Sequence, residues 1–255
     1  MQIQQANGLS YVVFSPEQLG LYFSEANASG QLARSRANEV LALPGVLAVL
    51  DGPMFTDCSS TGHCTRPARQ SCSPGHCNAV LLDYLYLDRR GGEFYEGRHP
   101  NRGMTLSVDA DGHTYAMHGG SAAGNPVVAV QLYPELIWDG RNVASTSVDT
   151  STVWRAALGV LPGGKMVLAI SRAPMHAFAE KLRALGVTYA GYTDGGGSTS
   201  LQLIGQPRIG STEDRAVASW IVIRKPAPSS TQGSSLAFLD RLTHGATGFS
   251  LFESL

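Results

Sequence analysis

The chain alternates short apolar runs with Gly, Pro and Asp-Gly interruptions, a pattern that predicts strands more often than long helices. Val12, Val13 and Phe14, then Leu19, Leu21 and Phe23, predict two early strands around the turn dipeptide Ser15-Pro16. Helix formers dominate 31–43, and Pro44-Gly45 stops that run. The unbroken apolar run Val46-Leu47-Ala48-Val49-Leu50 predicts a buried central strand that delivers Asp51, Gly52 and Pro53 at its end. Further strands are predicted over 81–87, 104–108, 127–132 and 132–141, with Asp109-Ala110-Asp111-Gly112 as a reversal before 113–117. Segments 154–160 and 166–170 flank Pro162-Gly163-Gly164 as a hairpin. The clearest helix follows, with Pro174 at a first helical position, Met175, Phe178, Leu182 and Leu185 at helical spacing, and Gly186 just past the end. A β-forming segment over 215–223, headed by Arg215, closes the series.

This string of elements predicts an α+β fold: a mixed, largely antiparallel sheet core with a few packed helices. At 255 residues the chain is long enough for one large core, so a single domain is expected over 1–225. The Pro-, Ser- and Gly-rich stretch 226–235 reads as a linker. Beyond it, 236–255 reads as an extension with a short helix over 236–242 and apolar Phe249, Leu251 and Phe252 suited to docking. The formal net charge is −1 and no Lys/Arg run stands out, which argues against a nucleic-acid backbone or an anionic membrane as partner. No apolar run reaches membrane-spanning length. The first twenty residues hold no Lys or Arg ahead of the apolar segment 11–14, so no leader is expected at this end. Either the protein stays where it is made or the sequence begins after an export signal was removed.

Candidate chemistry gathers at Gly191-Tyr192-Thr193-Asp194-Gly195-Gly196-Gly197-Ser198-Thr199-Ser200, which the flanking apolar residues predict as a turn between two strands. Three consecutive glycines exceed what a reversal needs, because each carries an entropic cost on folding. They let backbone N–H groups of Gly195, Gly196 and Gly197 approach an anion, with Ser198, Thr199 and Ser200 adding donors and Asp194 a carboxylate at the rim. A loop that merely turns the chain is the plain alternative. Asp51, ending a buried strand, is a second candidate, against the reading of Asp51-Gly52 as a simple turn. Arg155 and Arg215 could be surface charges or could face a pocket.

Between 57 and 78 the chain becomes poor in apolar residues and holds all its cysteines, Cys58, Cys64, Cys72 and Cys77, with Gly-His-Cys repeated at 62–64 and 75–77. Two local disulfides stapling a structural insertion are favoured, in keeping with an extracytoplasmic protein, and a cytoplasmic one is the alternative. Zinc on these thiolates and imidazoles is the rival, weakened by the lack of paired C-x-x-C knuckles. Histidines 99, 113, 118, 176 and 244 lie near no motif, although His118 before Gly119-Gly120 is a candidate cleft residue. Asn27-Ala28-Ser29 matches a glycosylation acceptor.

Several of these segments together resemble the phosphodiester glycosidases related to the uncovering enzyme, which removes N-acetylglucosamine from a phosphodiester-linked sugar. The resemblance spans 31–223. It is most specific from Leu185-Gly186 through Tyr192-Thr193-Asp194-Gly195-Gly196-Gly197-Ser198-Thr199, similar to the family's helix, Gly, strand and Asp-Gly-Gly-Gly-Ser core. Arg155-Ala156-Ala157-Leu158-Gly159-Val160 resembles its Arg-x-Ala-Leu-Gly strand, and Arg215-Ala216-Val217-Ala218 its Arg-x-Val-Ala segment. Leu50-Asp51-Gly52-Pro53-Met54-Phe55 resembles its Asn-Gly-Gly-Phe-Phe, with Asp51 for Asn, Pro53 for Gly and Met54 for Phe. An ionised Asp51 only accepts hydrogen bonds and repels a phosphate unless it is protonated, paired or metal-bound, and Pro53 removes a backbone donor.

The resemblance implies hydrolysis of a sugar 1-phosphodiester to free sugar and a phosphomonoester. Asp194 is the first candidate for activating water or stabilising the oxocarbenium-like transition state, and Asp51 the second. Arg155 and Arg215 are candidates for the phosphate, and Gly52, Gly195, Gly196, Gly197, Ser198 and Thr199 for substrate oxygens. No cofactor is required, and a divalent cation near Asp51 and Asp194 is a candidate. A non-catalytic glycan or cell-envelope binding module is the second reading, and a zinc-stabilised interaction protein the third.

Overall fold

The computed structural model describes residues 1–23, 34–53, 55–57, 79–81, 85–90, 93–96, 102–147 and 149–226. The cysteines, the 27–29 acceptor motif, His99, His244, Met54 and the segments beyond 226 lie outside these residues, as do 31–33 of the helix predicted over 31–43. In the rest of that run the helix is shorter than expected, Ala37–Leu41, because Ser35 is held in a bridge to Val217. Among the described residues, the fold is largely antiparallel β, with two α-helices, Ala37–Leu41 and Met175–Ala184.

Among the described residues, three larger sheets surround one core, and Phe55–Asp57 pairs with Ala79–Leu81 in a separate two-stranded sheet. The largest has seven strands in the order Gln4–Ala6, Leu9–Phe14, Met166–Ala173, Val153–Val160, Tyr189–Gly195, Glu135–Trp138, Arg141–Asn142. A five-stranded sheet runs Thr114–His118, Met104–Val108, Val128–Leu132, Leu85–Asp88, Glu93–Glu96, and another runs Ile209–Gly210, Ser200–Leu203, Val46–Asp51, Ser219–Arg224, Leu19–Phe23. Their inward faces supply a common cluster that includes Leu168 and Ile170, Leu106 and Val130, and Leu50 and Ile221.

Side chains alternate across a strand, so each central strand also presents an outer face. Val167 and Ala169 turn away from the central cluster toward Phe178 and Leu182 of the Met175–Ala184 helix, while Val49, Trp220 and Val222 pack with Ala37 and Val40 of the Ala37–Leu41 helix. Burial on both faces is the reason the 46–50 run is apolar without alternation.

Two expectations change. The strands flanking the triple glycine do not form a hairpin: Tyr189–Gly195 belongs to the seven-stranded sheet and Ser200–Leu203 to a five-stranded one. The glycines therefore carry the chain across the gap between sheets. The last strand begins at Ser219, not at Arg215, because 215–216 precede an isolated bridge between Ser35 and Val217 and pair with no strand.

Candidate active site

The site starts from a register slip. Ala157 pairs with Tyr192 and Arg155 pairs with Gly195, so the Tyr189–Gly195 strand carries one residue more than its partner across this interval. Such a bulge bends the strand and re-aims its side chains, here at Thr193 and Asp194. The chain then turns through a 3-10 segment, Gly196–Ser198, where Gly196 takes φ 63°, a left-handed conformation that glycine adopts without a side-chain clash.

Beside the bend, Val46–Asp51 runs between Ser200–Leu203 and Ser219–Arg224. This register brings Asp51 to the bend, where its Oδ1 accepts the Ser200 N–H at 3.0 Å. Gly52 closes on Ser219 so tightly that a Cβ would stand 2.3 Å from the Ser219 Oγ. Asp51 is fully buried, and among the described residues its Oδ2 has no hydrogen-bond partner; nor do the buried hydroxyls of Thr193, Thr199, Ser200 and Ser219. Burial pushes the Asp51 carboxyl well above the usual carboxylate range, and the negative charge of Asp194 pushes the same way against the Ser200 N–H.

Asp194 is partly exposed and accepts its neighbour's Gly195 N–H at 2.7 Å. Burial raises its pKa too and outweighs the Gly195 N–H, the Ser198 side chain and the charge of Arg215, which all act to lower it. Arg215 lies against the bend, its Cδ 2.8 Å from where a Cβ on Gly197 would stand, and its half-exposed side chain is 3.9 Å from the Glu213 carboxylate. For a hard cation, the available oxygens among the described residues here are the two carboxylates and the Thr193, Thr199, Ser200 and Ser219 hydroxyls. The three-residue cluster with metal-ligand geometry among the described residues lies elsewhere, at Asp109, Asp111 and His113.

Arg155 is 2% exposed. It forms an ion pair with Asp149 at 2.5 Å and also reaches Tyr192, Ser151 and Ala173. That pair holds the Asp149 pKa down to about 2. Burial works against the guanidinium charge, yet the Asp149 and Tyr192 contacts outweigh it and keep the Arg155 pKa above its ordinary value.

A cleft of about 850 Å³ opens where the ends of the Met104–Val108 and Thr114–His118 strands meet the seven-stranded sheet. Arg155, Asp149 and Tyr192 line it, together with Arg102, His118 and Glu135. Asp51 and Asp194 are not among its lining residues; Tyr192 connects the two regions, since it lines the cleft while feeling the charge of both acids. His118 stacks on Trp138 at 3.5 Å and its Nδ1 lies 2.8 Å from Glu135.

The residues singled out in the sequence are thus distributed around one bend. Asp51, Gly52, Asp194, Gly195, Gly196, Gly197, Ser198, Thr199 and Arg215 stand at it, and Arg155 approaches from the cleft side. The sequence itself assigned Tyr192, Asp149 and Glu135 no role. The one signal available for Tyr192 was its position two residues before Asp194, which puts both side chains on one face of a regular strand.

The phosphodiester glycosidase family model matches residues 88–224. Among solved structures, the catalytic domain of zebrafish N-acetylglucosamine-1-phosphodiester alpha-N-acetylglucosaminidase, auto-inhibited by its pro-peptide, aligns with TM-score 0.58 at 14% identity, covering 86% of this chain and 84% of that one. A hypothetical protein from Synechocystis aligns with TM-score 0.52 at 14% identity, covering 88% and 61%. A Burkholderia pseudomallei protein described as exported aligns with TM-score 0.50 at 14% identity, covering 85% and 74%. These likenesses establish the fold. No curated protein matches the chain by sequence.

Proposed function

The chain belongs to the phosphodiester glycosidase family, and from that premise we propose that it is a hydrolase that cleaves the glycosidic bond of a sugar 1-phosphodiester, releasing free sugar and a phosphomonoester. The observation that carries this reading is the meeting of Asp194 and Asp51 at the triple-glycine bend. Two adjacent carboxyls do not both ionise cheaply, and their surroundings separate them. Asp51 is fully buried and has no ion pair among the described residues, so it holds the proton. Burial raises the Asp194 pKa as well, but Asp194 is answered by two donors and by Arg215, so of the two it ionises first and carries the charge.

The Asp194 carboxylate is then the group that activates water at the anomeric carbon or stabilises the positive charge that develops there. A departing phosphate needs little protonation and instead needs donors and cations. The Gly196 and Gly197 N–H groups, the Thr199 hydroxyl and the half-exposed Arg215 supply these, and Arg155 supports them only indirectly, from the cleft side. N-acetylglucosamine, the sugar named for the zebrafish relative, is the first candidate sugar. Residues 1–225 form the catalytic domain in this reading, followed by a linker over 226–235 and an extension over 236–255. An extracytoplasmic location is in keeping with the relative described as exported; no described helix is long and apolar enough to cross a membrane.

The test is release of N-acetylglucosamine, with UDP from UDP-N-acetylglucosamine and with a phosphomonoester from simpler sugar 1-phosphodiesters. Asp194→Ala should fold with an unchanged circular dichroism spectrum and lose at least ~10²-fold in kcat. A second reading, a glycan-binding module without turnover, draws on Asp51 and Pro53 standing where the family has Asn and Gly. Retained sugar-phosphate binding without release, by the wild type across the whole panel, would favour it.

A further inference from the structure

Arg155 has five N–H donors, and every one is engaged within the protein. Its Nε donates to the Ala173 carbonyl at 3.3 Å. One terminal nitrogen donates to Asp149 Oδ2 at 2.5 Å and to the Tyr192 hydroxyl at 3.3 Å. The other donates to the Ser151 carbonyl at 3.1 Å and to the Ser151 hydroxyl at 3.3 Å. With its donors used and its charge met by Asp149, this guanidinium has no fork left to offer a phosphate.

What it holds does have something to offer. The Tyr192 hydroxyl accepts from Arg155, so its own proton is still available for donation, and no described residue accepts it. The ring is 5% exposed and lines the cleft. Its hydroxyl reaches the bend itself, lying 1.7 Å from where a Cβ on Gly195 would stand. Any side chain at 195 would displace that oxygen, which gives the first glycine of the triplet a steric reason. Burial, then the charges of Asp194 and Asp51, favour the neutral phenol, so the group is a donor and not a base.

We propose that the Tyr192 hydroxyl donates a hydrogen bond to a phosphate oxygen of the substrate, at the junction of bend and cleft, and that Arg155, fixed by Asp149, is a positioning residue that orients and polarises this hydroxyl. The proposal rests on the sugar-phosphodiester reading given above and assigns the phosphate contact to the tyrosine through which Arg155 acts. A hydroxyl already accepting from a cation is a stronger donor, because successive hydrogen bonds polarise one another.

The experiment is calorimetric titration of wild type and Tyr192→Phe with N-acetylglucosamine 1-phosphate and with free N-acetylglucosamine, alongside turnover of UDP-N-acetylglucosamine. Losing one hydrogen bond to a charged oxygen should weaken sugar-phosphate binding about ten- to a hundredfold and leave free-sugar binding and Tm unchanged. Arg155→Gln should weaken the same step, and in a Tyr192→Phe background it should add little, since both act through one contact. Unchanged sugar-phosphate affinity in Tyr192→Phe overturns the proposal whatever turnover does. Hydrolysis that persists undiminished in that variant removes the tyrosine's role while the family reaction stands. Tyrosine-dependent binding without wild-type hydrolysis removes the reaction and keeps the contact. Should Tyr192→Phe not fold, Gly195→Ala, which displaces the hydroxyl, is titrated instead with the same expected loss and the same overturning result.

Discussion

Asp51 shows how one side chain couples stability to pH at this site. Its folded-state pKa is raised, chiefly by burial and next by Asp194, so the folded chain holds this proton more tightly than the unfolded chain. Stability is therefore undiminished below the unfolded Asp value of about 4 and falls as pH rises through the folded value. Asp51→Asn keeps the shape and removes the ionisation. It should raise Tm at pH 7.5 relative to wild type, with the gain vanishing near pH 4, as scanning calorimetry at the two pH values would reveal. A gain equal at both pH values would contradict a neutral Asp51. Asp149 behaves in the opposite sense: its pKa is depressed to about 2, first by the Arg155 hydrogen bond, so its contribution is present above about pH 4 and is lost as pH falls toward 2.

At the scale of elements, the bulge near Asp194 and the helix behind it depend on each other. The Met175–Ala184 helix buries Met175, Phe178, Ala179 and Leu182 against the outer face of the seven-stranded sheet. Tyr192 belongs to that same cluster. The backbone N–H of Met175 also donates to the Asp149 carbonyl at 3.3 Å, so the helix start helps fix the residue that fixes Arg155. Phe178 is fully buried, and Phe178→Ala should cost about 3–5 kcal/mol in urea unfolding. Because the contacts run on to Asp149, the variant should also lose activity under conditions where it is still folded. Full specific activity in the folded fraction would show the helix to be stabilising only.

At the scale of the described molecule, three larger sheets close on one core, and the bend and the cleft lie at their margins. The cleft wall includes Val143, an exposed apolar residue at 47% relative accessibility. Val143→Trp should narrow the cleft without touching the core. The expected result is a KM for a bulky sugar phosphodiester raised about tenfold, an unchanged Tm, and a smaller effect on a methyl phosphodiester. Equal KM values for both substrates would place the larger substituent outside the cleft.

Much of this architecture was legible in the chain because secondary structure is encoded at short range. The apolar run at 46–50, the hairpin around Pro162-Gly163-Gly164 and the spacing of Met175, Phe178 and Leu182 each report a local period, and each corresponds to an element in the fold. The triple glycine was visible for the same reason, as an excess over what a turn requires. By itself, then, the sequence determined most of the central strands and the longer helix, and it marked the triple-glycine stretch as the candidate for chemistry. Tertiary structure alone decided that the glycines cross between sheets, that Arg155 spends its donors on Asp149, Ser151, Ala173 and Tyr192, and that Asp51 receives the N–H of a residue 149 positions away. The physical reason is that a side chain's partners are set by strand register and sheet order. Those depend on contacts between distant segments and leave no periodic trace along the chain.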